Sequence, residues 1–214
     1  MPEAPPPIHP IEAESYRIIE SRVDLSGWPP NERAVVARVI HAAADIEYAS
    51  TMRCSPGAVD AGVAALRDGA PVIVDVEMVA AATRRSDPHC LLSEGRDERA
   101  AANEAELTIS AAAMRVAARR WPTGAVVVVG NAPTALFEVL RLIEAGSFAP
   151  ALVIGLPVGF VGAAESKEAL RASGWPSISN VGERGGSAVA AASLNALARL
   201  AADSPATAIE ASSR

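Results

Sequence analysis

The chain has 214 residues, half of them apolar but only 4% aromatic, and a formal net charge of −6. That length suits one well-buried α/β domain packed from Ala, Val, Leu and Ile rather than two independent domains. The acidic balance excludes a general attraction for nucleic acid, the apolar stretches are too short to span a bilayer, and the start lacks the segments of a signal peptide, so a soluble cytoplasmic protein is expected.

In chain order, residues 1–10 read as a flexible proline-rich arm, and a first helix is expected over about 13–22, ended by Ser26-Gly27-Trp28-Pro29-Pro30. Asn31 is a good N-cap for a second helix running to about Ser50. Ser55-Pro56 opens a third, which stops at Asp68-Gly69. Pro71-Val72-Ile73-Val74-Asp75-Val76 reads as a strand with no polar face, as a covered parallel sheet requires. A short strand near His89-Cys90-Leu91-Leu92 precedes an Ala-rich helix over about 97–120, stopped by Trp121-Pro122. Strands over 125–129 and 151–156 follow, each leading into a helix, and a weaker strand lies near 176–180. A closing helix is expected from Ser187 to about Ala202, and residues 204–214 read as a disordered tail. Strands alternating with helices across short loops predict one domain over 11–203, with a doubly wound parallel sheet.

Three glycine-bearing turns stand at strand ends: Gly130-Asn131-Ala132-Pro133-Thr134, Gly155-Leu156-Pro157-Val158-Gly159-Phe160-Val161-Gly162, and Gly182-Glu183-Arg184-Gly185-Gly186-Ser187. Each brings bare backbone to the start of a helix, which suits a ligand with negative groups at the carboxyl edge of such a sheet. Glycines are also common there simply because the chain turns sharply. Neither the dinucleotide fingerprint nor a phosphate loop is present.

Of three histidines, His41 lies within a helix whose apolar stripe is Val35, Val39, Ile40, Ala43 and Ile46. His41 projects to nearly the opposite side, beside Ala34, Ala37, Arg38, Ala44 and Asp45. Asp45, one turn beyond, would favour the imidazolium. On this pattern alone the bland reading, a solvent-facing histidine, is favoured. Asp75 and Glu77 would point to opposite faces if one strand carried both. No nucleophile elbow, no cysteine in a basic context and no zinc or carboxylate cluster is seen, so an enzyme of this kind would work by positioning plus one proton transfer.

With these pieces in place, the chain resembles the precorrin-8X methylmutases of corrin biosynthesis, which act on precorrin-8X or cobalt-precorrin-8. The resemblance runs from Ile11 to Leu200. It rests on Glu14-Ser15-Tyr16-Arg17-Ile18-Ile19, Val39-Ile40-His41-Ala42, Asp75-Val76-Glu77-Met78-Val79 and Gly130-Asn131-Ala132-Pro133-Thr134-Ala135-Leu136. The long run from Gly155 to Ala163-Ala164-Glu165-Ser166-Lys167, then Gly185-Gly186-Ser187 and Leu194-Asn195-Ala196-Leu197, complete it. The resemblance implies a flavodoxin-like fold, three layers α/β/α with N-terminal helices, and an isomerase that uses no cofactor and no metal. The family moves a methyl group from carbon eleven to carbon twelve of the macrocycle; its catalytic histidine falls on His41 and a substrate-contacting serine on Ser15. Carboxylate arms of the substrate would then meet Asn131 and Thr134 at the first turn, Gly159, Gly162, Ser166 and Lys167 at the second, and Arg184, Gly185, Gly186 and Ser187 at the third. A homodimer with sites near the subunit interface is also implied, with a corrinoid as the small-molecule partner and product handed to neighbouring pathway enzymes. Many relatives carry arginine where this chain has Ile109 and Glu183, which bears on substrate affinity. The alternative of another class is a corrinoid carrier with weak or no catalysis; a nucleotide-binding flavodoxin-like domain is more remote.

Overall fold

The computed structural model describes residues 9–203. The tail and all of the expected arm but His9 and Pro10 lie outside the described residues. Those two belong to the first helix, with His9 as its N-cap, accepting from the Ile11 N–H at 3.2 Å.

Helices α1 (Pro10–Arg22) and α2 (Pro30–Ala43) come first, followed by the single turn α3 (Tyr48–Thr51), β1 (Met52–Cys54), α4 (Ala58–Arg67), β2 (Val72–Val74) and α5 (Glu77–Ala82). A 3-10 turn (Arg84–Ser86) leads to β3 (His89–Cys90), α6 (Leu92–Ala102) and α7 (Ile109–Arg120). The chain then alternates β4 (Val126–Val129), α8 (Pro133–Glu144), β5 (Leu152–Gly155), α9 (Ala163–Ala172), β6 (Ser177–Asn180) and α10 (Ser187–Asp203).

The strands form one six-stranded sheet in the order β1-β6-β5-β4-β2-β3, parallel except where β1 runs against β6 with Met52 opposite Asn180. From β2 the chain steps outward to β3 and then returns to the other side of β2 as β4. The carboxyl ends of β2 and β4 therefore flank the point where strand order reverses, the place where open α/β sheets bind ligands.

The period of two in each strand sorts its side chains into two cores. Val126 and Val128 join Val72, Val74, Leu152 and Ile154 on the face covered by α2, α4, α5 and α10. Val127, Val129, Ile73 and Val153 face α7, α8 and α9 with Leu136 and Leu170. All four valines of β4 are fully buried, each contributing roughly 1.5–3 kcal/mol of hydrophobic stabilisation. The architecture is the expected three-layer α/β/α one. Among the described residues no helix is long and apolar enough to cross a membrane.

Several boundaries differ from the sequence reading, for local reasons. The second helix starts at Pro30, so Asn31 is inside it, and it ends at Ala43 because Ala44 turns left-handed (φ 51°, ψ 33°). Ile46 accordingly leaves the apolar stripe and is 43% exposed, while Val36 is fully buried. The single helix expected over 97–120 is two, parted by left-handed Asn103 and restarted by Thr108, whose hydroxyl caps the Ala111 N–H at 3.2 Å. β1 and α5 were not foreseen; Glu77 opens α5, so Asp75 and Glu77 do not share a strand.

Candidate active site

His41 sits in the last turn of α2, half-buried. Ser15 of α1 lies against it, with Oγ 2.8 Å from Nδ1, and the Tyr16 ring packs beside the imidazole with centroids 5.4 Å apart. The Tyr16 hydroxyl donates to Glu12 (3.2 Å), which also takes a 2.7 Å hydrogen bond from Arg38. Burial, the larger influence, raises the Tyr16 phenol above its ordinary value, so it stays neutral. Ser15 engages Nδ1, and among the described residues Nε2 has no hydrogen-bond partner. Asp45 does not pair with it: the break at Ala44 carries Asp45 away, and its carboxylate meets Arg184 at 2.7 Å.

Arg184 also contacts Glu47, so its guanidinium ties the turn after β6 to the segment following His41. Parallel pairing sets β4, β5 and β6 side by side, which brings all three glycine turns to one edge of the sheet. The second and third turns are joined by backbone: Gly159 N–H donates to Glu183 (3.2 Å) and Gly186 N–H to Leu156 (2.8 Å). Gly159, Gly162 and Gly186 hold φ of 146°, 77° and 118°, a region that favours glycine. A Cβ on Gly185 would collide with the carbonyls of Leu156 and Pro157, so bare backbone is needed for the two turns to touch. Ser187 then opens α10 almost buried.

The first turn is organised differently. Gly130, Asn131 and Ala132 all point their N–H groups at the Asp75 carboxylate, at 2.9, 2.8 and 2.8 Å. Burial raises the Asp75 pKa, with the three N–H donors pulling the other way. Gly130 is wedged so closely that a Cβ would lie 2.8 Å from Val79 and 2.9 Å from Ala190. Asn131 and Thr134 remain exposed, and the Thr134 hydroxyl bonds that of Thr108 at 2.8 Å.

Two expected contact residues are turned inward. Ser166 is fully buried and donates to the Ala163 carbonyl within α9. Lys167, also fully buried, donates to Asn180 Oδ1 at 2.9 Å and to the Arg184 carbonyl, so it braces the third turn from below. Burial lowers its ammonium to about 8, with Arg171 pushing the same way and Glu183 opposing. Cys54 and Cys90 are pushed up to about 12, chiefly by burial, and neither is a ready nucleophile.

A groove of about 1650 Å³ opens between α1, α2, α10 and the 3-10 turn; Tyr16 and Arg38 line it, whereas Ser15 and His41 do not. Its lining includes Arg22, Arg33, Arg84, Arg85 and Arg199. Sequence reasoning missed these arginines, scattered as they are over four elements, and it missed the Ser15–His41 contact, the resemblance having named the two residues only separately. It also missed the role of Asp75: an acid directly after a buried strand was visible, but the glycine turn it meets lies 55 residues further along the chain.

The comparisons with known proteins agree with this frame. Residues 10–200 match the family described as precorrin-8X methylmutase. The chain is 45% identical over 199 residues to the precorrin-8X methylmutase of Pseudomonas aeruginosa, covering 88% of this chain and 93% of that one. It is 41% identical over 193 residues to the cobalt-precorrin-8 methylmutase of Methanocaldococcus jannaschii, covering 87% and 91%. A crystal structure of precorrin-8x methyl mutase from Thermus thermophilus superposes with a TM-score of 0.81 at 42% identity, over 90% of this chain and 96% of that one. The chain belongs to the precorrin-8X methylmutase family.

Proposed function

We propose that this protein is an isomerase of cobalamin biosynthesis that moves a methyl group from carbon eleven to carbon twelve of precorrin-8X or cobalt-precorrin-8, with His41 exchanging the proton. The observation that carries the mechanism is the 2.8 Å contact between Ser15 Oγ and His41 Nδ1. It fixes the ring and commits Nδ1, so the proton passes through Nε2. A migration within one molecule is redox-neutral: the methyl leaves one ring carbon and joins the next while double bonds relocate. It needs a held conformation and an acid on the ring system rather than a nucleophile or hydride donor.

The macrocycle's many carboxylates need local cations in a chain of net charge −6. The arginines of the groove beside Tyr16 supply them, and Asn131, Thr134, Gly185 and Gly186 contribute polar groups at the sheet edge. Ser166 and Lys167 act from beneath that edge. We further propose a cytosolic homodimer, with the partner subunit closing the crevice.

Replacing His41 by Asn keeps size and removes the titratable proton. Turnover of precorrin-8X, followed by the change to the product spectrum, is expected to fall by about 10²–10⁴ while binding persists. Near-native turnover in H41N would remove His41 from the mechanism, and tight binding without turnover in the unaltered protein would favour the carrier.

A further inference from the structure

Asp75 does something that neither the family resemblance nor the proton chemistry of His41 requires. It stands just past the end of β2, at the point where strand order reverses, and is fully buried. In sheets of this order that place receives the ligand, whose negative group takes the N–H groups of the turn and the positive end of the following helix. Here the three N–H groups that would serve, those of Gly130, Asn131 and Ala132, are all taken by the Asp75 carboxylate. The donors are Ala132, the N-cap residue of α8, and the two residues before it, so Asp75 holds the turn that leads into the helix. The N–H groups of the turn are thus satisfied within the protein.

We infer that Asp75 is a built-in anion and a positioning residue: its carboxylate closes the strand-crossover site to an external anion and holds the turn that presents Asn131 and Thr134 to the crevice. The role of those two residues rests on the proposed function; the closed site does not. Two consequences separate this from a merely structural acid. Among the described residues the turn has no other anchor for its three N–H groups, so they depend on one side chain. Removing the carboxylate leaves a hole shaped for a small carboxylate, lined by three donors and the end of a twelve-residue helix.

Amide hydrogen exchange in the intact protein tests the first point without substrate. The Gly130, Asn131 and Ala132 amides are expected to exchange as slowly as those of β4, although they lie in a turn. In D75N, which keeps the side-chain volume but offers one acceptor oxygen, they are expected to exchange about tenfold faster or more, with β4 unchanged. In D75A, added formate is expected to raise the melting temperature and restore exchange protection, while chloride at equal ionic strength does not. If methylmutase turnover is present, kcat of D75A falls on the order of a hundredfold and formate recovers part of it. Loop-like exchange in the intact protein, an unchanged pattern in D75N, or a D75A protein indifferent to formate would each overturn the inference. Absence of turnover in the intact protein would instead count against the proposed function alone.

Discussion

At the residue scale, Ser15 and Lys167 act by holding something else in place. Ser15→Ala leaves His41 in position on α2 but removes the contact that sets its ring. Turnover is expected to fall about tenfold to a hundredfold with binding little changed, measured as a kcat effect at near-constant KM. Lys167→Met leaves Asn180 Oδ1 buried without its donor, a cost of about 1–3 kcal/mol. The pH signature is specific. The folded lysine loses its proton near 8 while the unfolded one keeps it to about 10.5, so across that window the unfolded chain binds more protons. The contribution of this group to stability therefore rises with pH between those values. Melting temperatures of wild type and K167M should diverge in favour of wild type from pH 8 to 10.5; parallel curves would show that the lysine titrates normally. The sequence put Lys167 in the right motif but could not tell a cation facing the ligand from one facing the protein. That distinction depends on Asn180 and Arg184, thirteen and seventeen residues away along the chain.

At the scale of elements, α7 and α8 are stitched by a charged network outside the crevice. Glu138, buried at the interface, is shared by Arg115 (2.7 Å) and Arg141, and Arg115 also pairs with Glu104. Burial alone would push the Glu138 carboxyl up, but the two arginines together hold it below the ordinary glutamate value. Its stabilisation is therefore full above the ordinary value of 4.5 and is lost as pH falls through the lower folded value. Glu138→Gln is expected to cost about 1–3 kcal/mol at neutral pH, roughly 2–4 °C of melting temperature per kcal/mol, and to flatten the acid limb of the stability curve. Thermal melts from pH 7 down to about pH 3 check both. The strands and long helices were legible because buried β-branched runs and apolar periodicity are local signals. What escaped was decided by single residues in unusual conformations. Ala44 and Asn103 adopt left-handed backbone that their sequence context does not announce, and each cuts an expected helix. β1 escaped because three residues with an exposed arginine in the middle carry too little pattern, and its existence depends on β6 more than a hundred residues later.

For the whole molecule, the rim of the crevice is unusually apolar for a surface. Phe160 is 89% and Val161 88% exposed in the turn after β5, Met78 is 70% exposed at the start of α5, and Val158 and Phe137 are also uncovered. Exposed apolar groups of this kind mark association surfaces. A homodimer at micromolar concentration is the expected result of light scattering, and Phe160→Glu together with Val161→Lys is expected to yield a folded monomer with reduced turnover. A fully active monomeric wild type would count against a shared site.

The borders of the sheet limit how such copies meet. β1 gives only three residues and runs opposite to its neighbour, and the other border, β3, has two. Neither offers a row of unpaired N–H and C=O groups long enough for another strand to zip onto. Growth by adding strand to strand is blocked on both sides, which guards a sheet this rich in buried valine against templated fibre formation. A homodimer of this chain would therefore form through helices and loops, and an isologous contact of that kind closes on itself instead of propagating.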